Sequence, residues 1–137
     1  MHSSMSTSSS SASHSVSVVI GSNAPPESLE ACLAALEGQR GDGDEVLVYE
    51  GAASPAALRE RFPWARFVDR PGQLVPELWR DGIDAATGDL VALTIAQMVP
   101  AEDWLAEVRR QLERYDAVGG AIDPGKGLRP TDWAEYF

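Results

Sequence analysis

The side chains best suited to chemistry in this sequence directly follow its short apolar runs. Ser22 and Asn23 come after the first run, Glu50 and Gly51 after the second, and Gln97 just beyond the fourth. Hydroxyl, amide and carboxylate groups hold ligands by accepting and donating hydrogen bonds. The pattern predicts a binding site made of hydrogen-bonding groups in the loops after these runs.

Nucleophiles and metal ligands are scarce in this sequence. The histidines, His2 and His14, both lie in the Ser-rich start, which argues against histidine-dependent catalysis in the rest of the chain. The single cysteine, Cys32, excludes an internal disulfide and a cysteine-based zinc cluster. It falls on an apolar helical stripe, which predicts a small buried side chain rather than a nucleophile.

Charge and hydropathy narrow the class of partner. The 137 residues carry 21 acidic and 11 basic side chains, a net charge of −10. Such a chain is not expected to bind nucleic acid or an anionic membrane through a basic face. Its apolar runs are far shorter than the ~20 residues that span a bilayer, so the sequence predicts a cytoplasmic protein without a membrane span.

The sequence divides into two parts. Residues 1–15 include nine serines and lack an apolar cluster, which predicts a disordered tail. Residues 16–137 are predicted to form one domain, in which apolar runs alternate with segments of helical period. The predicted strands are 17–20, 45–49, 66–68, 90–95 and 117–122. The first predicted helix starts at Pro25-Pro26 and ends at Gly38, and the others are 54–62, about 76–87 and 101 to about 114.

This alternation predicts an α/β fold, a doubly wound and mainly parallel sheet with helices on both faces. Ligands bind such sheets at the carboxyl ends of the strands. The polar residues that follow the predicted strands are therefore expected to meet at one edge of the sheet.

Six segments occur in an order and spacing that match one enzyme family. They are Val16-Ser17-Val18-Val19-Ile20 with Asn23 and the stripe Leu29, Cys32, Leu33, Leu36 and Gln39; Glu45-Val46-Leu47-Val48-Tyr49-Glu50-Gly51; Gly82-Ile83-Asp84-Ala85-Ala86-Thr87-Gly88-Asp89-Leu90-Val91-Ala92; Val99-Pro100 with Trp104-Leu105; Val118-Gly119-Gly120; and Thr131-Asp132-Trp133-Ala134-Glu135-Tyr136-Phe137. Over residues 16–137 the chain resembles the nucleotide-binding half of family 2 glycosyltransferases, which have the type-A glycosyltransferase fold.

The resemblance implies a donor-binding function. Members transfer a sugar from a nucleotide diphosphate donor to an acceptor hydroxyl, usually with Mg²⁺ or Mn²⁺. It places Ser22, Asn23, Glu50 and Gly51 at the nucleotide, with Glu50 standing for the family's Asp that binds uracil or ribose. Arg80 replaces an Asn and would offset the diphosphate charge. The family's catalytic base and acceptor half would lie beyond residue 137, so the chain is expected to be a fragment.

The metal motif departs from the family. The positions that should provide carboxylates read Ile95-Ala96-Gln97, and Gln97 offers only a neutral amide oxygen. Since Mg²⁺ and Mn²⁺ prefer charged oxygen ligands, the sequence predicts a degenerate metal site. Ile95 is then expected to extend the strand, and Gln97 to lie in a surface turn.

Each candidate residue also has a structural interpretation. Glu50 fits a solvated acidic loop, and Ser22 or Asn23 fits a cap of the following helix. Arg80 fits an ion pair with Glu77 or Asp84 on its own helix.

At the level of the whole chain, the alternative to an enzyme is a catalytically inactive binding or interaction module. Self-association through residues such as Trp133, Tyr136 and Phe137 is a further expectation.

Overall fold

The computed structural model describes residues 14–116, which form four strands and four helices in alternation. They are β1 (Val16–Ser22), α1 (Pro26–Glu37), β2 (Glu45–Glu50), α2 (Ala56–Arg61), β3 (Ala65–Asp69), α3 (Val75–Ala85), β4 (Leu90–Ile95) and α4 (Trp104–Leu112). The predicted strand 117–122, the segment 131–137 and most of the predicted tail lie outside the described residues.

The four strands form one parallel sheet in the order β3-β2-β1-β4. In this register Val19 of β1 lies between Leu47 of β2 and Leu93 of β4. The predicted parallel α/β architecture is confirmed, and the bounds of β4 agree with the prediction. The order reverses beside β1, so the chain adds β2 and β3 on one side and β4 on the other.

Helices cover both faces of the sheet. On one face, α1, α2 and α4 bury their apolar side chains against β1 and β2, as shown by Leu29, Leu58 and Leu105. On the other face, Leu78 of α3 packs against Val19 and the neighbouring side chains of β2. Strands β1, β2 and β3 therefore contribute alternate residues to two separate apolar cores.

Helix α3 lies unusually close to the sheet at Gly82. A Cβ at this position would stand 2.3 Å from Cγ1 of Val19, well inside van der Waals contact. Only glycine allows this approach without displacing the β-branched side chain of a central strand.

Two helix starts differ from the predictions. Helix α2 has Pro55 as its N-cap and begins at Ala56, two residues after the predicted start at residue 54, and Ser54 Oγ caps none of its N–H groups. The N-cap of α1 is Pro25, which has no side-chain acceptor, so the predicted capping by Ser22 or Asn23 is wrong. Both helices follow an N-cap proline, Pro25 or Pro55, whose backbone is extended with φ near −60°.

The described surface has an apolar patch on β4. Val91 and Leu93 are both about two-fifths exposed on the α3 face of this strand. Within residues 14–116, β4 has a paired neighbour on the β1 side alone. Among these residues, none of the helices has both the length and the apolar character needed to cross a membrane.

Candidate functional site

The ends of β1, β2 and β3 are tied together at the carboxyl edge of the sheet. The Gly51 N–H donates to the carbonyl of Ser22 at 2.9 Å, and the Gly72 N–H donates to the carbonyl of Gly51 at 3.1 Å. The pairing of β3 with β2 continues one residue past β3, where the Arg70 N–H donates to the carbonyl of Glu50 at 2.8 Å. The first two predicted loops therefore meet as expected, and the loop after β3 joins them.

Asn23 closes this edge through its side-chain amide. Its Nδ2 donates to the backbone carbonyl of Gln73 at 3.0 Å, which links the loops after β1 and β3 across Gly51. A Cβ on Gly51 would lie 2.0 Å from Asn23 Oδ1 and 2.6 Å from the Gln73 carbonyl oxygen. Because Gly51 has no Cβ, the side chain of Asn23 lies directly against its backbone, and the two residues form one fitted contact.

Glu50 is not part of a solvated acidic loop, and that expectation is wrong. Its side chain is 1% exposed, and Oε1 accepts a hydrogen bond from Arg59 Nη2 at 2.7 Å. Oε2 accepts the backbone N–H of Ser54. The carboxylate is buried because the loop after β2 and helix α2 fold back over the strand end and provide both donors.

Arg59 joins Glu50 to a second carboxylate. Its Nη2 also donates to Asp69 Oδ1 at 2.5 Å, and its guanidinium lies 5.3 Å from the centre of the Phe67 ring. These hydrogen bonds, first that to Asp69 and then that to Glu50, raise the pKa of Arg59 above its already high value. Two carboxylates and one guanidinium leave this group with a net charge of −1.

Sequence reasoning missed both Arg59 and Asp69. Asp69 is the last residue of β3 and the register partner of Glu50, so the rule that singled out the ends of the other strands also applies to it. Arg59 gave no comparable signal, because an arginine in a short amphipathic helix is most often a surface residue.

Three buried polar atoms at this edge have no hydrogen-bond partner within the described part of the chain. They are Ser54 Oγ, Arg59 Nε and Gln73 Oε1. Buried polar groups are nearly always paired, and leaving one unpaired costs about 1–3 kcal/mol. The carboxyl edge therefore holds a hydroxyl, a guanidinium N–H and an amide oxygen that make no hydrogen bond to the described residues.

Arg80 is not brought together with these residues. Its side chain is 68% exposed on α3, and its ion pair is with Asp81, at 3.7 Å, instead of the predicted Glu77 or Asp84. The carboxylate of Glu77 serves the helix start, where it accepts the Leu74 N–H at 2.9 Å. The structure gives Arg80 no hydrogen bond to the loops of the carboxyl edge.

The residues at the end of β4 do not fit a Mg²⁺ or Mn²⁺ ion. Ala96 is buried with its N–H donating to the carbonyl of Gly21 at 3.2 Å, and Gln97 is exposed, as expected of a turn. Within residues 14–116, no three His, Cys, Asp or Glu side chains are grouped so that they could hold a metal ion. No chemical step is therefore assigned to a metal here.

The arrangement provides several acceptors and few free positive charges. It is suited to an uncharged, hydrogen-bonding part of a ligand.

Cys32 is unsuited to nucleophilic chemistry, because it is fully buried and this burial raises the pKa of its thiol to about 12. A scan of the chain against protein-family models and a search of curated proteins gave no match.

Proposed function

We propose that the chain is the donor-binding part of a family 2-like glycosyltransferase and binds a nucleotide diphosphate sugar at the carboxyl edge of its sheet. The observation that carries the proposal is the convergence of three loops at Asn23, Gly51 and Gln73, beside the buried carboxylate of Glu50. Open parallel sheets bind nucleotides at this edge. The specific type-A glycosyltransferase fold is part of the proposal.

In this proposal the nucleoside lies over the ends of β1 and β2. The exposed amide of Asn23 and the backbone of Gly51 face the nucleoside. The Ser22 carbonyl holds Gly51 in place by accepting its N–H. The transferred sugar would leave its diphosphate when an acceptor hydroxyl attacks the anomeric carbon. The acceptor oxygen gains that bond, the diphosphate oxygen keeps the electron pair of the broken bond, and a base takes the hydroxyl proton.

Titration calorimetry with uridine diphosphate and guanosine diphosphate, with and without Mn²⁺, tests donor binding. We expect heat with at least one nucleotide and a change of less than threefold on adding Mn²⁺, because Ile95-Ala96-Gln97 provides no carboxylate. The absence of heat with both nucleotides would overturn the proposal. Tenfold tighter binding with Mn²⁺ would show that the end of β4 does hold a metal.

Arg80 is tested by comparing uridine diphosphate with uridine, which has no phosphate. If Arg80 meets the diphosphate, Arg80→Ala weakens binding of the nucleotide but not of the nucleoside. Arg110→Ala is the matched control, since Arg110 is similarly exposed and forms a surface ion pair on α4. Equal binding by both variants would remove Arg80 from the site.

A second candidate is a non-catalytic binding module with the same fold. It is favoured by the end of β4, where an alanine and an exposed glutamine stand in place of ionised ligands. Such a module would bind nucleotide sugar without releasing the nucleotide. Release of uridine diphosphate from uridine diphosphate sugars separates the two candidates when it is measured on a longer protein that carries the expected acceptor half, because only the enzyme then releases the nucleotide.

A further inference from the structure

We propose that Asp69, and not Glu50, is the carboxylate that accepts a hydrogen bond from the nucleoside part of the ligand. This inference rests on the proposed function and assigns the acceptor within that same site. Glu50 and Arg59 then act as positioning residues, which hold the Asp69 carboxylate at the edge of the sheet.

The two carboxylates differ in their accessibility to a ligand. Glu50 and Asp69 are register partners at the ends of β2 and β3, and they point to the same face of the sheet. The Glu50 side chain is 1% exposed, whereas that of Asp69 is 50% exposed. A ligand can reach Asp69 directly, but it can reach Glu50 only after α2 moves.

The two carboxylates also differ in how their oxygens are used within the chain. Both oxygens of Glu50 already accept donors from the chain itself, Arg59 Nη2 and the Ser54 N–H. Among residues 14–116, the Asp69 carboxylate is bonded to Arg59 through Oδ1, which leaves Oδ2 unused. A carboxylate can accept up to about four hydrogen bonds, so Asp69 has room for a ligand donor.

Arg59 pre-organises the Asp69 carboxylate. Its guanidinium is bonded to the buried Glu50 carboxylate and lies over the Phe67 ring. It therefore holds Asp69 in one orientation before any ligand arrives, which lowers the entropy lost on binding.

The donor that Asp69 accepts is either an N–H of the base or a hydroxyl of the ribose. Both have the same chemistry at the carboxylate, and ligand analogues distinguish them. N3-methyluridine diphosphate lacks the base N–H, and 2′-deoxyuridine diphosphate lacks one ribose hydroxyl.

The test compares Asp69→Asn with wild-type protein by titration calorimetry with uridine diphosphate. We expect binding at least tenfold weaker, because a charged acceptor is replaced by an amide that offers its N–H₂ to a ligand donor. The charge change alone predicts the opposite result, since removing a negative charge favours an anionic ligand. Asp42→Asn, which removes a charge from an exposed loop before β2, is the matched control and should bind as wild type does.

The other outcomes are equally definite. Binding by Asp69→Asn equal to or tighter than wild type overturns the inference while leaving the proposed function intact. The absence of heat with the wild-type protein overturns the proposed function and the inference with it. If Asp69→Asn weakens binding of both analogues, and of 3′-deoxyuridine diphosphate, as much as that of uridine diphosphate, Asp69 accepts none of these donors and the inference fails.

A stability measurement separates the two carboxylates independently of any nucleotide. Glu50→Gln should lower the urea midpoint clearly, because it removes the charge that pairs with Arg59 in a buried position. Asp69→Asn should leave the midpoint near that of wild type, since its side chain is half exposed. The reverse order of these two effects would contradict the roles assigned here.

Discussion

The indole N–H of Trp79 donates a hydrogen bond to the backbone carbonyl of Thr94 at 2.8 Å. This bond fastens α3 to β4 at the side of the sheet where the strand order reverses. The indole also covers Gly21, where an added Cβ would lie 3.3 Å from Nε1. Trp79 therefore packs across the ends of β1 and β4.

Trp79→Phe should destabilise the protein by about 1–3 kcal/mol. The ring keeps most of the packing, but the Thr94 carbonyl loses its side-chain donor in a partly buried place. Urea unfolding followed by circular dichroism measures the loss. Trp64→Phe is the matched control, because its indole N–H bonds to the exposed Glu37 at 3.2 Å, and it should cost less than about 0.5 kcal/mol. Equal losses for the two variants would contradict the importance given to the Thr94 bond.

Gly51→Ala should disrupt the fitted contact at the carboxyl edge. The new methyl would overlap the Asn23 side chain and the Gln73 backbone oxygen, and the backbone atom cannot turn away. We expect a loss of about 1–3 kcal/mol in the free energy of unfolding, together with weaker nucleotide binding.

Gly38→Ala is the control for this change. A Cβ on Gly38 meets nothing within 4 Å, and its backbone is right-handed helical, so alanine should be neutral or slightly stabilising. A Gly51→Ala variant as stable as Gly38→Ala would show that the loops separate without cost.

The elements of this fold were predictable because their apolar residues follow simple periods. Leu29, Cys32, Leu33 and Leu36 recur at helical spacing, and all four are buried in α1. The continuous apolar run of β2 likewise reflects burial on both faces of a parallel sheet. These signals are local, so the sequence alone carries them.

The candidate site was predictable only in part. The edge at which Glu50 lies follows from strand order, but its burial depends on how α2 folds back over the strand end. Arg59, which makes that burial possible, pairs with Glu50 nine residues away and with Asp69 ten residues away. Such pairs have no fixed sequence spacing, because the shape of the intervening loop decides them. Ser54 fits a helix cap by its residue type, yet the same loop turns its N–H toward Glu50.

Cys32 should be unreactive in the folded protein. Its thiol is fully buried on the core-facing side of α1, and burial raises its pKa to about 12, so almost none is thiolate at pH 8. Ellman's reagent should give no colour within minutes at pH 8 in buffer and one equivalent in 8 M urea. Because the chain has a single cysteine, any colour in buffer comes from this position and would contradict its burial.

Asp44 should make the stability of the protein depend on acid pH. It accepts the N–H groups of Val16 at 2.9 Å and Gly41 at 2.7 Å, and it is paired with Arg109 of α4. Burial alone would raise the pKa of Asp44, but these hydrogen bonds and the charge of Arg109 outweigh burial and lower it.

A carboxyl whose pKa is lower in the folded state stabilises the protein above its unfolded pKa of about 3.9 and loses that contribution as the pH falls through the folded value. Asp44→Asn should therefore cost about 2–4 kcal/mol at pH 7, since it leaves Arg109 without its buried partner. The gap to wild type in the free energy of unfolding should narrow steadily below about pH 4. Asp42→Asn, two residues away and exposed, should show no comparable gap. A gap for Asp44→Asn that stays constant from pH 7 to pH 2 would mean that the carboxylate charge does not stabilise this end of the sheet.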